Sequence, residues 1–460
     1  MRLPPPIFGL ETEYAAAAPG REAGVVASAL VRKVAASVPA IPADEGGIFL
    51  ANGARVYVDA GGHPEYATPE TADPWQLVRH ARAGDRLLAR ACAELSGSPR
   101  GLRGAELYRG NADRAGGTVT WGSHENYAWW PVDIDPFPLL RAHLATRALY
   151  CGGGGFLLRA GGPRFVLSPR LITARPYRGS DLSYRVGRGE PIPRIHVTLG
   201  ETLCSEQALW LRFATTALVL QLAQAGIPPH RPLPDPDEVA ALRFELALAP
   251  IRDVASARHR QALEVQRTLL EMAERHSGAP WMPWWAPVAC RRWRAVLGRI
   301  QRADPGLRAT LDWALKLDLW CRIAADARGG GALLPEVNSA PADPGRAAVL
   351  DLVFGRLHPP GIFETLDAGG FLRHRMVRRE AIDRALSEPP RRTRAWARGR
   401  AVRVVRAGTG QGVAGWSYVL DLASGAELEL GEPWEAEGAW TASAASQPGA
   451  KSEPLDDLPF

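Results

Sequence analysis

Polar and apolar positions alternate first over residues 6–15, a stretch that reads as a β-strand carrying Glu11 and Glu13. Side chains two apart on a strand share a face, so both carboxylates project to one side. Residues 48–59 read as two strand pieces around the Asn52-Gly53 turn. Helical periodicity covers 73–95, and strands follow at 103–109, 117–128 and 192–200. The four glycines 152–155 read as a turn, since no Gly-Lys-Ser/Thr follows to make a phosphate loop. Residues 203–226 form a long, almost uniformly apolar helix ending at Gly226, and the proline-rich 227–237 is a loop. Helical patterns return at 253–275, 289–302 and 306–326, with the tryptophan-rich connector 279–287 between the first two. A Pro/Gly-rich stretch occupies 328–346. Residues 362–406 read as helical and strongly basic, and 412–434 alternates like the short strands of a small β-unit. The Ala/Ser/Pro-rich tail is expected to be disordered. Strands gather early and helices late, which predicts an α+β fold rather than a doubly wound α/β sheet. No fixed-period repeat occurs, which argues against solenoids and propellers.

Composition narrows the class. The chain has 460 residues, 46% hydrophobic, enough for a large core in one big unit plus a smaller one. No apolar run approaches the ~18 residues of a membrane span. Met1-Arg2-Leu3 leads into three prolines rather than an apolar leader, so export is not expected. Five scattered cysteines, Cys92, Cys151, Cys204, Cys290 and Cys321, make no C-x-x-C pair, which argues against a disulfide framework or zinc site and for a reducing cytoplasm. The net charge is +6, with only three lysines: Lys33, Lys316 and Lys451. The basic side is therefore arginine, whose planar fork suits carboxylates and phosphates.

Several segments hold groups able to do chemistry. Glu11 and Glu13 on one strand face repel each other unless a cation lies between them; the alternative is an exposed acidic edge. Tyr57 and Asp59 share a face, and the Gly61-Gly62 turn brings Glu65 back towards them. That set is either a hard-cation site or an ordinary polar turn. His124 sits in Gly122-Ser123-His124-Glu125-Asn126-Tyr127 and is either a ligand or a core histidine, with Glu125 and Asn126 favouring a site. Arg188 beside Glu190 is a surface ion pair or a phosphate clamp, and the arginines of 389–400 form a solvated face or a binding surface.

Taken in order, these segments resemble the Pup ligase/Pup deamidase (depupylase) family. The likeness runs from Gly9 to about Trp434. It rests on Glu11-Thr12-Glu13, on Asn52-Gly53-Ala54-Arg55 through His63-Pro64-Glu65-Tyr66-Ala67-Thr68, and on Tyr108 to Tyr127. Arg194-Ile195-His196-Val197, Ser205-Glu206, Asp312-Trp313, Pro389-Pro390, Thr393-Arg394, Arg398-Gly399 and Trp416 continue it. The departures are a segment shortened to Arg188-Gly189-Glu190-Pro191, Phe354-Gly355-Arg356 in place of a Tyr-His-Asp run, and Arg400 where an acid is expected.

The resemblance implies a glutamine-synthetase-like antiparallel sheet packed with helices. It divides the chain into a catalytic unit over 1–360, a small C-terminal domain over 361–440 and a tail over 441–460. It also implies ATP and Mg2+ as cofactors, with Glu11, Glu13, Tyr57, Glu65 and His124 holding metal. Asp59 would be the catalytic base, and Arg188, His196, Arg394 and Trp416 would contact nucleotide. The expected reaction activates the γ-carboxylate of a C-terminal glutamate on a Pup-like small acidic protein and joins it to a target lysine. The basic stretch 371–406 would face an acidic, disordered partner such as the Pup-like protein.

No room remains between the first strand and Tyr57 for the deamidase branch's long insertion, which favours a ligase. Tyr57-Val58-Asp59 and Thr68-Pro69-Glu70 look more like the depupylase branch. A non-catalytic module binding a Pup-like tail is the reading from another class; nucleic acid is disfavoured because no nucleic-acid motif is recognisable.

Overall fold

The computed structural model describes residues 3–98, 101–111, 121–130, 134–159, 162–170, 182–185, 194–235, 237–239, 241–242, 257–326, 344–408 and 410–442. In chain order the strands are β1 Phe8–Glu13, β2 Ala15–Ala17, β3 Ala40–Pro42, β4 Ile48–Leu50, β5 Arg55–Val58, β6 Pro64–Ala67, β7 Glu106–Tyr108 and β8 Ser123–Ala128. They continue as β9 Gly155–Arg159, β10 Gly162–Val166, β11 Leu182–Arg185, β12 Arg194–Val197, β13 Arg356–His358 and, at the C-terminal end, β14 Gly412–Ala414, β15 Tyr418–Asp421, β16 Ala426–Leu430 and β17 Gly438–Ala442. The helices are α1 Ala23–Ser37, α2 Pro74–Gly97, α3 Phe137–Thr146, α4 Ala148–Cys151, α5 Glu206–Gln224, α6 Ala257–His276, α7 Ala286–Gln301, α8 Asp312–Asp326, α9 Pro344–Phe354, α10 Ile362–Ala368, α11 Arg379–Ala385 and α12 Ala395–Ala407.

Eight strands form one antiparallel sheet in the order β11-β12-β8-β1-β6-β5-β4-β3. This is the expected α+β arrangement, with β1 near the middle. Register fixes what each face carries, because directly opposed residues point the same way. Glu11 stands opposite Ala67 and His124, Glu13 opposite Glu65, and Tyr57 opposite Glu65. The other face carries Phe8, Leu10, Tyr127, Ile195 and Val197 into a core shared with helices α3, α5, α6 and α7.

Helix α5 runs through that core with nearly every residue buried, which is why its sequence shows no polar stripe. Ser205 caps it by accepting the Ala208 N–H at 3.1 Å. Helix α2 approaches the sheet closely at Gly84, where a Cβ would lie 2.4 Å from the Tyr66 ring. The Asn52-Gly53 turn forms as expected: Gly53 takes φ +82°, and Asn52 Oδ1 accepts the Ala54 N–H at 3.0 Å.

Strands β14–β17 make a separate four-stranded sheet. Together with α12 it packs on the edge of the large sheet, where Ile41, Phe49 and Ala51 meet Val402, Val405, Val419 and Leu428. No described helix is long and apolar enough to cross a membrane.

Some boundaries differ from expectation. The 306–326 stretch splits into a 3-10 turn, Pro305–Ala309, and α8, because the Asp312 carboxylate caps the Cys204 and Ser205 amides instead of continuing one helix. The basic 362–406 stretch is three short helices, α10 to α12, separated at Gly369-Gly370 and Pro389-Pro390. Strand β17 runs to Ala442, into the range expected to be tail. Residues 443–460 lie outside the described residues.

Candidate active site

The central strands β1, β6, β5 and β8 hold an acidic cluster on the sheet face away from the helices. Glu11, Glu13, Glu65, Tyr57 and His124, the residues expected to hold metal, converge there. His124 bridges two of the acids, with Nδ1 at 3.4 Å from Glu11 and Nε2 at 3.4 Å from Glu13. Glu13 also accepts the Gly122 N–H at 2.7 Å, which ties β1 to the start of β8. Ligand-capable atoms lie within 4.8 Å of one another in three sets: Glu11, His124 and His196; Glu13, Glu65 and His124; and Glu13, Asp59 and His63.

The electrostatics of this face are unbalanced. Burial raises the Glu65 pKa well above the ordinary carboxylate value, and the charges of Glu11, Glu13 and Asp59 push it further, against a hydrogen bond from Tyr57. Burial likewise lifts the Tyr57 phenol, helped by the charges of Glu11 and Glu65, so it stays neutral. Glu11 is the exception. Burial works against its ionisation, yet the hydrogen bond from His124 and the nearby His196 and Arg194 bring its pKa down to about 2.

A hard divalent cation fits this donor set. Glu65 Oε1 is buried with no hydrogen-bond partner, an oxygen that a cation would satisfy. A cation would also invert the repulsion that now raises Glu65.

Asp59 follows β5 at the rim of the cluster. Its Oδ1 accepts the His63 N–H at 2.6 Å and its Oδ2 lies 3.3 Å from His63 Nδ1. Partial burial opposes ionisation, but these hydrogen bonds outweigh it and lower the Asp59 pKa. The His63 imidazole is raised in turn, chiefly by its bond to Asp59. The His63 ring stacks on Trp121 at 4.8 Å, which fixes its plane.

A cleft of about 560 Å³ adjoins the cluster. Its polar end is Glu11, Asn126 and Arg194; its far end is Ile7, Ala128, Trp416, Pro433 and Arg394. Asn126 links the polar end, donating to Glu11 at 3.1 Å and meeting His196 Nδ1 at 2.8 Å. At the far end the Glu70 carboxylate binds Arg394 Nε at 2.7 Å and chelates Arg398. Arg398 in turn donates to the Trp416 carbonyl at 2.8 Å and to the Gly53 carbonyl at 2.9 Å. The wall supplied by the C-terminal sheet is thereby fastened to the large one.

The structure thus gathers Glu11, Glu13, Tyr57, Asp59, Glu65, His124 and His196 at one end of a continuous site, and Arg394 and Trp416 at the other. Arg188 lies outside the described residues. Glu125 is a correction: it sits on the helix-facing side, fully buried, hydrogen-bonded by Tyr127 at 2.6 Å and paired with Arg147 and Arg212. One step along a strand reverses the face, so Asn126 belongs to the site and Glu125 to the core. Sequence reasoning gave no role to His63 or Glu70, and took Asn126 only as a neighbour favouring a site at His124. Period-2 spacing could have found Asn126 from His124, and His63 lies inside the Gly-Gly-His-Pro-Glu turn already singled out.

Comparison with known proteins gives a consistent result. A family model described as Pup-ligase protein matches residues 6–175 and 186–420. The Pup–protein ligase of Acidimicrobium ferrooxidans is 30% identical over 434 residues, covering 88% of this chain and 90% of that protein. That of Brachybacterium faecium is 30% identical over 442 residues, with 86% of each chain covered. Among solved structures, the complex between the prokaryotic ubiquitin-like protein Pup and its ligase PafA superposes with a TM-score of 0.76 at 23% identity, covering 94% of this chain and 90% of that one. The Pup ligase PafA in complex with ADP gives 0.70 at 24% identity, covering 85% and 87%. These two share the fold.

Proposed function

The chain belongs to the Pup-ligase family, and from that premise we propose that it is an ATP- and magnesium-dependent carboxylate–amine ligase. Its donor substrate is the γ-carboxylate of a C-terminal glutamate on a small, acidic Pup-like protein, and its acceptor is a lysine of a target protein. The relatives named Pup–protein ligase support this direction over isopeptide hydrolysis. The observation that carries the reading is continuity: the acidic cluster and the half-apolar cleft share Glu11 on one sheet face.

A carboxylate resists attack by an amine because its leaving group would be an oxide. Phosphorylation by ATP, with Mg2+ neutralising the phosphate charge, supplies a good leaving group. Glu11, Glu13, Tyr57, Glu65 and His124 are the residues that would hold the cations. Trp416, Pro433 and Ile7 offer an apolar slot suited to a base, while Arg194 and His196 face the polar end where phosphate charge would lie. Arg394, braced by Glu70, supplies a cation in the wall at the apolar end.

Asp59 is the base. It stands at the rim, and His63 keeps it ionised and oriented, ready to take a proton from the incoming lysine ammonium. The five cysteines are buried and form no disulfide with one another, in keeping with work in a reducing cytoplasm.

The test is ADP formation and conjugate formation with Mg2+, a Pup-like peptide ending in glutamate and a lysine-bearing acceptor. Asp59→Asn should cut turnover by about 10²-fold or more while nucleotide still binds. Near-normal turnover of that variant would overturn the base assignment. Cleavage of a preformed conjugate without conjugation would move the reading to a depupylase, and absence of nucleotide binding would leave only a binding module.

A further inference from the structure

A pocket of about 580 Å³ opens beside the acidic cluster, at the end away from the nucleotide cleft. Gly110, Asn111, Trp121, Glu201, Lys316 and Phe354 are among its walls. Trp121 joins it to the cluster. The next residue, Gly122, donates its N–H to the Glu13 carboxylate at 2.7 Å and accepts the Glu13 N–H at 3.2 Å. The indole itself stacks on His63, which holds Asp59. Asn111 pins the main chain there: its Nδ2 donates to the Trp121 carbonyl at 3.1 Å, and its Oδ1 accepts the Thr202 N–H at 2.9 Å.

The groups left unsatisfied on these walls are donors. Trp121 is 8% exposed and Arg109 5%, and the Nε1 of one and the Nε of the other are buried without a hydrogen-bond partner. The indole edge beside Nε1 faces the pocket lining, since a Cβ on Gly110 would lie 3.6 Å from Trp121 Cζ2. The carboxylates on the walls already have partners. Glu201 accepts the Gly153 and Arg170 N–H groups at 2.7 and 3.1 Å, Asp312 accepts the Cys204 N–H at 2.6 Å, and Asp351 accepts Lys316 at 2.7 Å. Arg109 is likewise held by Asp85 and Glu364. An ammonium therefore finds every carboxylate engaged, and a further carboxylate finds each cation neutralised. What the open indole N–H asks for is a neutral acceptor, and a main-chain carbonyl is the commonest one in a polypeptide.

The chemistry of the first step selects which polypeptide supplies it. In the ligase reading a γ-carboxylate oxygen of the donor protein attacks the γ-phosphorus of ATP, and the bond to ADP breaks as the acyl phosphate forms. Attacking and leaving oxygens lie roughly in line. The nucleotide cleft follows β1 from Ile7 to Glu11, so the attacking carboxylate comes from beyond Glu11, at the Glu13 end, where Trp121 stands. The amine attacks the acyl carbon afterwards and is under no such constraint. It also arrives on a lysine side chain, whose ammonium is a donor only. A donor protein, by contrast, lays main chain directly behind its terminal glutamate. An extended residue spans about 3.4 Å, so carbonyls one or two residues back come within reach of a ring packed 4.8 Å from His63.

We propose that Trp121 recognises the donor protein: its Nε1–H donates to a main-chain carbonyl in the last few residues of that protein, which enters this pocket as an extended chain. The proposal rests on the ligase reading for the direction of approach, and the two arms of its test fail separately from that reading.

The first arm needs no catalysis. The full chain, labelled with 15N at its tryptophan indoles, is titrated without nucleotide with a peptide of five alanines ending in glutamate. The Trp121 indole signal, identified by its loss in Trp121→Phe, should move downfield as the peptide binds. That variant keeps a ring against His63 and removes the N–H, and it should weaken the peptide about fivefold, the worth of one buried hydrogen bond. Peptides with an ester in place of one amide, at each of the three bonds nearest the glutamate in turn, locate the partner carbonyl. One ester should weaken binding to the wild-type chain and cause no further loss in the variant. An unmoved Trp121 signal at saturation, equal sensitivity of both chains to every ester, or no binding of the peptide overturns the proposal. A larger movement of the signal with an end-blocked Ala-Ala-Lys-Ala-Ala peptide overturns the donor as occupant.

The second arm is conjugation kinetics. Trp121→Phe should raise the donor KM about fivefold and leave the acceptor KM in place, while kcat reports separately on the contact with His63. A rise in the acceptor KM alone overturns the assignment. If the wild-type chain forms no conjugate, the ligase reading fails while the first arm still decides the Trp121 contact.

Discussion

Glu70→Gln removes one negative charge from the knot that fastens the C-terminal sheet to the large one. The cost can be worked in two ways. Burial alone would raise the Glu70 pKa, yet the charges and hydrogen bonds of Arg398 and Arg394 bring it from 4.5 down to about 2. At 1.36 kcal/mol per pKa unit, that shift corresponds to about 3 kcal/mol. Breaking a buried pair by deleting one partner costs about 3–5 kcal/mol, because an uncompensated charge stays behind. Here it would be the Arg398 guanidinium, whose side chain is 0% exposed. The two figures agree. Urea unfolding of the variant should therefore show a loss of about 3 kcal/mol. ADP binding, measured by calorimetry under native conditions, should weaken as well, since Arg394 and Trp416 line the cleft. A loss below about 1 kcal/mol, the worth of a surface pair, refutes the reasoning about burial. A full loss of stability with ADP affinity unchanged refutes the link between the knot and the nucleotide wall.

Glu125→Gln should lose a comparable ~3–5 kcal/mol, since two buried arginines face that carboxylate, while Mn2+ affinity stays at the wild-type value. A weakened cation site would show that the two sheet faces are not independent. Glu65→Gln should move stability in opposite directions: upward without divalent cation, because a crowded buried charge is gone, and downward with saturating Mg2+, because a ligand is gone. Thermal unfolding with EDTA and with Mg2+ reads both signs, and a loss under both conditions refutes the cation assignment. The pH profile follows from Glu11, Glu70 and Glu125, all held at about 2 in the folded chain against 4.5 for an unperturbed carboxyl. A depressed folded pKa gives stability that is complete above the unfolded value and is lost as pH falls from about 5 towards 2. Urea unfolding at pH 7, 5 and 3 should show that decline, reduced by about a third in Glu70→Gln.

The site was legible where strand periodicity carried it. Glu11 and Glu13, then Tyr57 and Asp59, share faces by local geometry alone, and their motif order pointed to the family. What local pattern cannot supply is which strands lie side by side. The β12-β8-β1-β6-β5 order brings His196, His124, Glu11, Glu65 and Tyr57 onto one face from positions spread over the chain. Glu125 was misjudged for the same reason. Its neighbours in sequence, His124 and Asn126, face the cluster, while its neighbours in space, Arg147 and Arg212, come from the junction of α3 with α4 and from α5. Glu70 stayed unassigned because its partners, Arg394 and Arg398, are more than three hundred residues away. The arginine excess was ambiguous in composition and separates only in three dimensions. Buried arginines such as Arg109, Arg147, Arg212 and Arg398 mate with carboxylates and hold the fold together, while Arg384, Arg391 and Arg392 are exposed. That contrast divides a compositional bias into two roles, because a desolvated guanidinium group needs a carboxylate beside it, as Arg398 has Glu70, while an exposed one is satisfied by water.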